Sequence, residues 1–222
     1  IGIGSMLCER MSGKHVEIGL VPFGSIGLTL FGLDLYFASP VGLVGTTPHE
    51  LLALLSIPAI WRVLFDLMML GVFGGFFIVP MYALVQLRSS PDHRARIIAA
   101  NNILNALFMV VGALGAASLL GAGLSMPALF ALAALLNAVV AIYIYGLVPE
   151  FLLRFMAWLL VKAVYRLRST GLEHIPAEGA AVLVANHVSF ADAVVIMGAS
   201  PRPIRFVMDH RIFKMPLLGF IF

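Results

Sequence analysis

IIAANNILNALFMVVGALGAASLLGAGLSMPALFALAALLNAVVAIYIYGLVP, from Ile97 to Pro149, contains no Asp, Glu, Lys or Arg. A bilayer core about 30 Å thick is crossed by about 20 apolar residues in a helix. The run is too long for one crossing and has to double back. Residues 121–127, Gly-Ala-Gly-Leu-Ser-Met-Pro, supply the turn chemistry for that reversal. Two spans follow, near 97–120 and 127–148. Backbone polar groups in lipid must be bonded internally, so both are expected to be helices.

Working outward, two more segments reach spanning length. Residues 18–38 hold a single charge, Asp34, near the far end, and residues 64–87 are uncharged from Leu67 onward. The whole chain fits this reading. Of 222 residues, 61% are hydrophobic and 11% charged, with a mean hydropathy of +1.04. A water-soluble domain carries roughly a quarter charged residues, so that class is excluded. The formal net charge of +3 comes without a basic cluster, which argues against a nucleic-acid partner. Cys8 is the one cysteine, so neither an intrachain disulfide nor a cysteine metal site can form. An apolar start at Ile1 and an apolar finish at Phe222 lead us to expect a piece cut from a longer protein at both ends.

The basic residues orient the spans. Arg10 and Lys14, then Arg88, Arg94 and Arg96, then Arg154, Lys162, Arg166 and Arg168 fall on one side, and Arg62 alone on the other. The positive-inside rule makes the first side cytosolic, so both ends of the chain are expected there. Residues 39–60 and 121–126 then face outward. The apolar piece 51–60 either lies along the interface or lengthens the second span.

Charges near spans are costly and usually have partners. Asp34, Arg62 and Asp66 sit toward the outer side, where Arg62 can neutralise one acid or both. A structural ion pair at the rim and a part in moving substrate both remain open. Asn101, Asn102, Asn105 and Asn137 read as interhelical hydrogen-bond glue. Pro22, Pro80 and the Gly74-Gly75 pair permit bends or close helix contact.

After Pro149 the pattern changes. Residues 150–168 read as a helix with Arg154, Lys162, Arg166 and Arg168 on one arc and apolar residues on the rest, suited to the headgroup boundary. Turn signals over 171–179 precede Ala180-Ala-Val-Leu-Val-Ala185, which reads as a buried strand, and an apolar helix is expected over 191–199. Strand, loop and helix make an α/β opening. Residues 1–149 thus form a polytopic helical membrane bundle, and residues 150–222 the start of an α/β domain.

The loop between strand and helix carries the reactive groups: Asn186-His187-Val188-Ser189-Phe190-Ala191-Asp192-Ala193. Neutral imidazole accepts a proton near neutral pH, and a carboxylate on its second nitrogen fixes the tautomer and stabilises the imidazolium. A step of five residues does not pair within one regular helix. It can pair if His187 lies on the loop and Asp192 in the first helical turn. From spacing alone three readings stand: a structural cap, a metal pair, and a catalytic base with its orienting acid.

Two resemblances bear on these choices. Gly4-Ser-Met-Leu-Cys8-Glu9-Arg10-Met-Ser-Gly13-Lys14 resembles the cytosolic Gly-x-x-x-Asp-Arg-x-Gly-Arg-Arg loop of the major facilitator superfamily, with Cys8-Glu9 in place of the Asp and one extra residue before Gly13. Val16-Glu17-Ile-Gly-Leu-Val-Pro22-Phe-Gly24 and Ala99-Ala-Asn101-Asn102-Ile-Leu-Asn105-Ala-Leu-Phe108 resemble the last helices of bacterial lysophospholipid transporters in that superfamily. The resemblance implies that residues 1–149 are the final third of a twelve-helix transporter.

Asn186-His187-x-Ser189-Phe190-x-Asp192-Ala193 resembles the first signature of glycerolipid acyltransferases of the 1-acylglycerol-3-phosphate acyltransferase type. Phe206-Val-Met-Asp209-His-Arg211-Ile-Phe213-Lys214-Met-Pro216-Leu-Leu-Gly219 resembles the segment that follows it. That family's phosphate-binding Glu-Gly-Thr-Arg type loop is expected beyond Phe222, so residues 150–222 alone are expected to be inactive. The resemblance implies His187 as general base and Asp192 as its orienting acid; Asn186 and Ser189 are candidate substrate contacts, and Arg211 either contacts the substrate or lies on a solvated face.

It also implies no resident cofactor or metal. The acyl donor is acyl-CoA or an acylated acyl carrier protein, so acyl carrier protein is an expected partner beside membrane lipid and lysophospholipid. Arg202, Arg205 and Lys214 either help hold phosphate or form a solvated face. Joined modules of these two kinds resemble bacterial inner-membrane fusions that move a lysophospholipid inward and reacylate it. Two alternatives stay open: a bundle that only anchors the enzyme, and a transporter whose acyltransferase portion is inactive.

Overall fold

The computed structural model describes residues 1–12, 19–39, 51–147, 149–164, 167–176, 179–189, 191–200, 202, 204–207 and 209–214. By contacts the chain divides into two units, Ile1–Ile144 and Tyr145–Phe222. Lys14, Glu17, Arg166 and Phe190 lie outside the described residues, as do the side chains of Arg154 and Lys162.

In the first unit α1 (Gly2–Ser12) and α2 (Leu20–Ala38) both pack on α4 (Pro58–Arg88). Pro22 is tolerated in the first turn of α2, where its missing N–H has no helical partner. The helix stops at Ser39, which is extended (φ −65°, ψ 121°) as the residue before Pro40 must be. Cys8, Leu20 and Phe76 form the buried centre of the three helices. Around it the ring of Phe23 meets Phe73 and Phe76 edge-on, at 5.1 and 5.2 Å, an arrangement that favours aromatic pairs beyond the area they bury.

The apolar piece before the second span does two things. Residues Leu51–Leu55 form the short helix α3, and the chain breaks at Ser56 and Ile57. Pro58 then opens α4 behind an extended Ile57 (φ −90°, ψ 115°), the position where proline's fixed φ favours helix entry. Trp61 ties the break by donating its indole N–H to the Leu55 carbonyl at 2.9 Å. The second span therefore begins earlier than residue 64 and runs for 31 residues.

Glycine sets how closely α1 crosses α4. A Cβ built on Gly75 would stand 2.8 Å from the Gly4 carbonyl carbon and the Ser5 nitrogen, both backbone. Only a residue without a side chain fits there. The neighbouring Gly74 meets nothing within 4 Å, so of the glycine pair it is Gly75 that makes the close contact.

The charge-free run folds into α5 (Arg94–Gly121) and α6 (Met126–Leu147). Between them Gly123 adopts φ +96°, the left-handed region where a Cβ is penalised. Leu124 N–H bonds to Leu119 C=O and Gly123 N–H to Leu120 C=O, both at 3.0 Å, closing the helix end with a Schellman pattern. Asn137 donates to the Ser25 carbonyl at 3.0 Å and to the Thr29 hydroxyl at 2.8 Å, tying α6 to α2. Asn105 donates to the Tyr82 hydroxyl at 2.5 Å, tying α5 to α4. No residue of α5 is buried, and in α6 only Ala134 is. Helices α2, α4, α5 and α6 are each long and apolar enough to cross a membrane, and apolar sides left bare in this way suit lipid or further helices. The chain has the make-up of a membrane protein.

In the second unit α7 (Pro149–Val164) packs on α8 (Ala191–Ala199), burying Phe155, Ala157 and Val161. The expected helix over 150–168 ends sooner, and Arg168 lies in the irregular stretch 167–170. Ser169, Thr170 and Gly171, the last at φ +77°, account for the stop. A 3₁₀ turn, Leu172–His174, follows.

The expected buried strand over 180–185 is not formed. The segment is irregular and exposed, with Val182 and Val184 about nine-tenths bare. A strand exists through its ladder partner, and among the described residues none pairs with it. The α/β arrangement is therefore replaced by an all-helical one among the described residues. A last short helix, α9 (His210–Phe213), comes after.

Candidate active site

Residues 186–189 lead into α8, and Asp192 lies in that helix's first turn. Its Oδ2 accepts hydrogen bonds from the Val188 N–H at 2.7 Å and the Ser189 N–H at 2.9 Å. Both donors belong to the loop entering the helix, which thereby bends back on its own first turn. The Ser189 hydroxyl accepts from the Ala191 N–H at 3.3 Å, and the Ser189 carbonyl from the Asp192 N–H at 3.0 Å. Ser189 thus shapes the turn.

The same Oδ2 stands 3.2 Å from His187 Nδ1. With a proton on Nδ1 the ring donates to the carboxylate, and the lone pair is then on Nε2. One carboxylate thus both caps the loop and approaches the imidazole, two arrangements that spacing alone left as alternatives. The Asp192 carboxyl is held below the ordinary range by the Ser189 N–H first, then by the Val188 N–H, with His187 adding to both. It is an anion at neutral pH. The imidazole is mostly exposed and the carboxylate much less so, at 73% and 28%. The imidazole is open to an incoming molecule while its partner is anchored.

An open cleft of about 1170 Å³ runs past the pair, with Leu183, Asn186, His187, Asp192, Arg205 and Phe206 in its walls. Asn186 is therefore placed beside the imidazole. Arg211 is not part of the wall; its backbone N–H caps on Asp209 Oδ1 at 2.9 Å, and its side chain is exposed. Arg202 departs from both roles considered for it. Its guanidinium donates to the carbonyls of Pro176 at 2.6 Å and Gly179 at 2.8 Å, clamping the turn that leads into 180–189. Ser200, buried at the end of α8, accepts the Arg202 N–H at 3.2 Å and donates to its carbonyl at 2.9 Å. The Ser-Pro-Arg order after the helix was the sequence signal for that turn.

In the first unit, Arg62 chooses between its two acids. Its guanidinium makes a two-pronged pair with Asp34 of α2, with Nε 3.0 Å from Oδ2 and Nη2 on Oδ1. Asp66 is fully buried, and among the described residues no hydrogen bond reaches either carboxyl oxygen.

Residues 166–222 match a protein-family model described as Acyltransferase. The match supports an acyltransferase portion at this end of the chain, joined to apolar helices, and it contains the His187–Asp192 pair. No curated protein and no solved structure matches the chain.

Proposed function

We propose that this protein moves a lysophospholipid across the bacterial inner membrane and reacylates it by transfer from an acyl thioester to a free glycerol hydroxyl. The observation that carries the acyl-transfer half is the 3.2 Å approach of His187 Nδ1 to Asp192 Oδ2 within the segment matched to acyltransferases. Nε2 of His187 takes the hydroxyl proton as the oxygen attacks the thioester carbonyl. The tetrahedral adduct then collapses, the C–S bond breaks, and the imidazolium returns the proton to the departing thiolate. Ester and free thiol are the products, and no covalent acyl-enzyme is required. Asp192 remains ionised and holds the ring. Asn186, in the cleft wall, contacts the substrate, while Ser189 and Arg211 stand outside that wall, Ser189 shaping the turn that holds the pair.

The acyl donor is acyl-CoA or an acylated acyl carrier protein. The transport half rests on the four spans together with the resemblance of residues 16–24 and 99–108 to lysophospholipid transporters. Both ends of the chain then face the cytosol, where acyl donors are made. Joining the two activities keeps one lipid pool in reach of both.

The test is thiol release and lysophospholipid consumption by membranes carrying the protein. His187→Ala should lower acyl transfer by about 10²- to 10⁴-fold, the usual contribution of a general base, while lysophospholipid uptake continues. Acyl transfer at the parental rate would end the catalytic reading. Uptake unchanged on removal of the helical unit, with the enzyme re-anchored by another membrane segment, would end the transport reading.

A further inference from the structure

The first unit holds a carboxyl whose surroundings do not suit an ion. Asp66 is wholly buried in α4, and no donor among the described residues meets its oxygens. One turn earlier on the same helix, Arg62 is committed to Asp34 through both prongs of its guanidinium. Arg62 and Asp66 are four residues apart on one face of α4, so the Asp34 carboxyl held by Arg62 lies on the side of the helix that carries Asp66. The one cation on that face is already matched by one anion. A buried, unpaired carboxylate is far costlier than a neutral acid. A proton on Asp66 removes that charge.

Other titratable groups among the described residues stand apart. Helix α3 has none. Glu9 and Arg10 belong to α1, which crosses α4 near Gly75, about 13 Å along the helix from Asp66 at 1.5 Å per residue. The Ile1 nitrogen meets α4 at Gly71. Arg94 and Arg96 follow the opposite end of α4. Among the described residues, Asp34 and Arg62 are left as the groups that govern Asp66.

We infer that Asp66 is a proton-binding site, exchanged with water through Asp34 and gated by Arg62. In one state Arg62 pairs with Asp34 and Asp66 holds the proton. In the other, Arg62 turns to Asp66, its neighbour four residues on along the same helix face, and the proton passes to Asp34. Between these two states the trio keeps one cation, one anion and one neutral acid. Asp34, with a side chain 36% exposed, then releases the proton to water. The site owes nothing to the acyl-transfer reading and stands or falls apart from it.

Infrared spectroscopy of the full chain in lipid vesicles tests this through the carbonyl stretch of a protonated carboxyl. At neutral pH the parent should show that band. Asp66→Asn should lose it, and Asp66→Glu should keep it at a displaced frequency. Asp34→Asn frees Arg62 for Asp66 and should also remove it. A parent without the band overturns the site, as does a band untouched by Asp66→Asn. Survival in Asp34→Asn overturns the gate, because burial alone then keeps the acid neutral. If Asp66→Asn fails to fold by circular dichroism, an undisplaced band in Asp66→Glu overturns the assignment equally.

Discussion

The side-chain amide of Asn137 on α6 donates to the hydroxyl of Thr29 on α2 at 2.8 Å, joining helices more than a hundred residues apart in the chain. Interhelical hydrogen bonds in membranes contribute about 0.6 kcal/mol on average and at most about 1.7. Asn137→Leu should fall in that range in unfolding by denaturing detergent. Thr29→Val should be non-additive with it, because the two share a bond. Strict additivity would remove the tie from the account.

Gly74 and Gly75 make a matched pair of controls. Gly75→Ala puts a methyl against the α1 backbone, which cannot swing aside, and should cost about 1–3 kcal/mol as overpacking does. Gly74→Ala meets open space and should be neutral or stabilise by up to about 1 kcal/mol through helix propensity. The comparison is one melting experiment on two variants in the same detergent, and equal melting temperatures would refute the close crossing.

Because the folded Asp192 carboxyl lies below its ordinary range, its contribution is complete above the unfolded value of about 3.9 and is lost as pH falls through the folded one. The loop should stay anchored from neutral pH down to about pH 5 and loosen below about 4. Amide resonances of Val188 and Ser189 report this directly. In Asp192→Asn those resonances should not respond to the same acidification, and acyl transfer should drop by less than in His187→Ala.

Arg202→Ala removes the clamp on Pro176 and Gly179. Hydrogen exchange over 171–176 and 179–183 should quicken about tenfold, the effect of losing roughly 1.4 kcal/mol from partly exposed charge-assisted bonds. Arg202→Lys cannot span two carbonyls with a fork and should restore only part of the protection. Unchanged exchange in both would make the contact incidental.

The sequence made the helices legible where chemistry ends them. The uncharged run of 97–149 had to reverse, and Gly123 and Pro127 marked where. Pro58 marks the start of α4, yet an apolar stretch from residue 51 could not reveal the break at Ser56 and Ile57. The misread strand has a different cause. Ala180-Ala-Val-Leu-Val-Ala185 advertises apolarity, while strand formation depends on a partner that no local pattern specifies. The basic and apolar arcs of 150–168 continue past residue 164, although Ser169, Thr170 and Gly171 oppose helix there.

At the site, the spacing of His187 and Asp192 indicated that the two could meet across a loop and a first turn. It did not indicate that the same oxygen would take the Val188 and Ser189 N–H groups, since backbone donors leave no trace in side-chain identity. The acceptors of Arg202 are carbonyls and were hidden for the same reason. Arg62 had an acid four residues along its own helix and another on α2. Only the packing of those helices decides between them.

Helix α5 has apolar residues bare on every side, so rotating it about its own long axis would leave its hydrophobic exposure much the same. Lipid cannot tell one azimuth from another on such a rod. The bond from Asn105 to Tyr82 works as a keyway, giving the rod a fixed angular setting against α4. With Tyr82→Phe the helix would still span, at the same depth and length, but its rotational bearing would be free to wander.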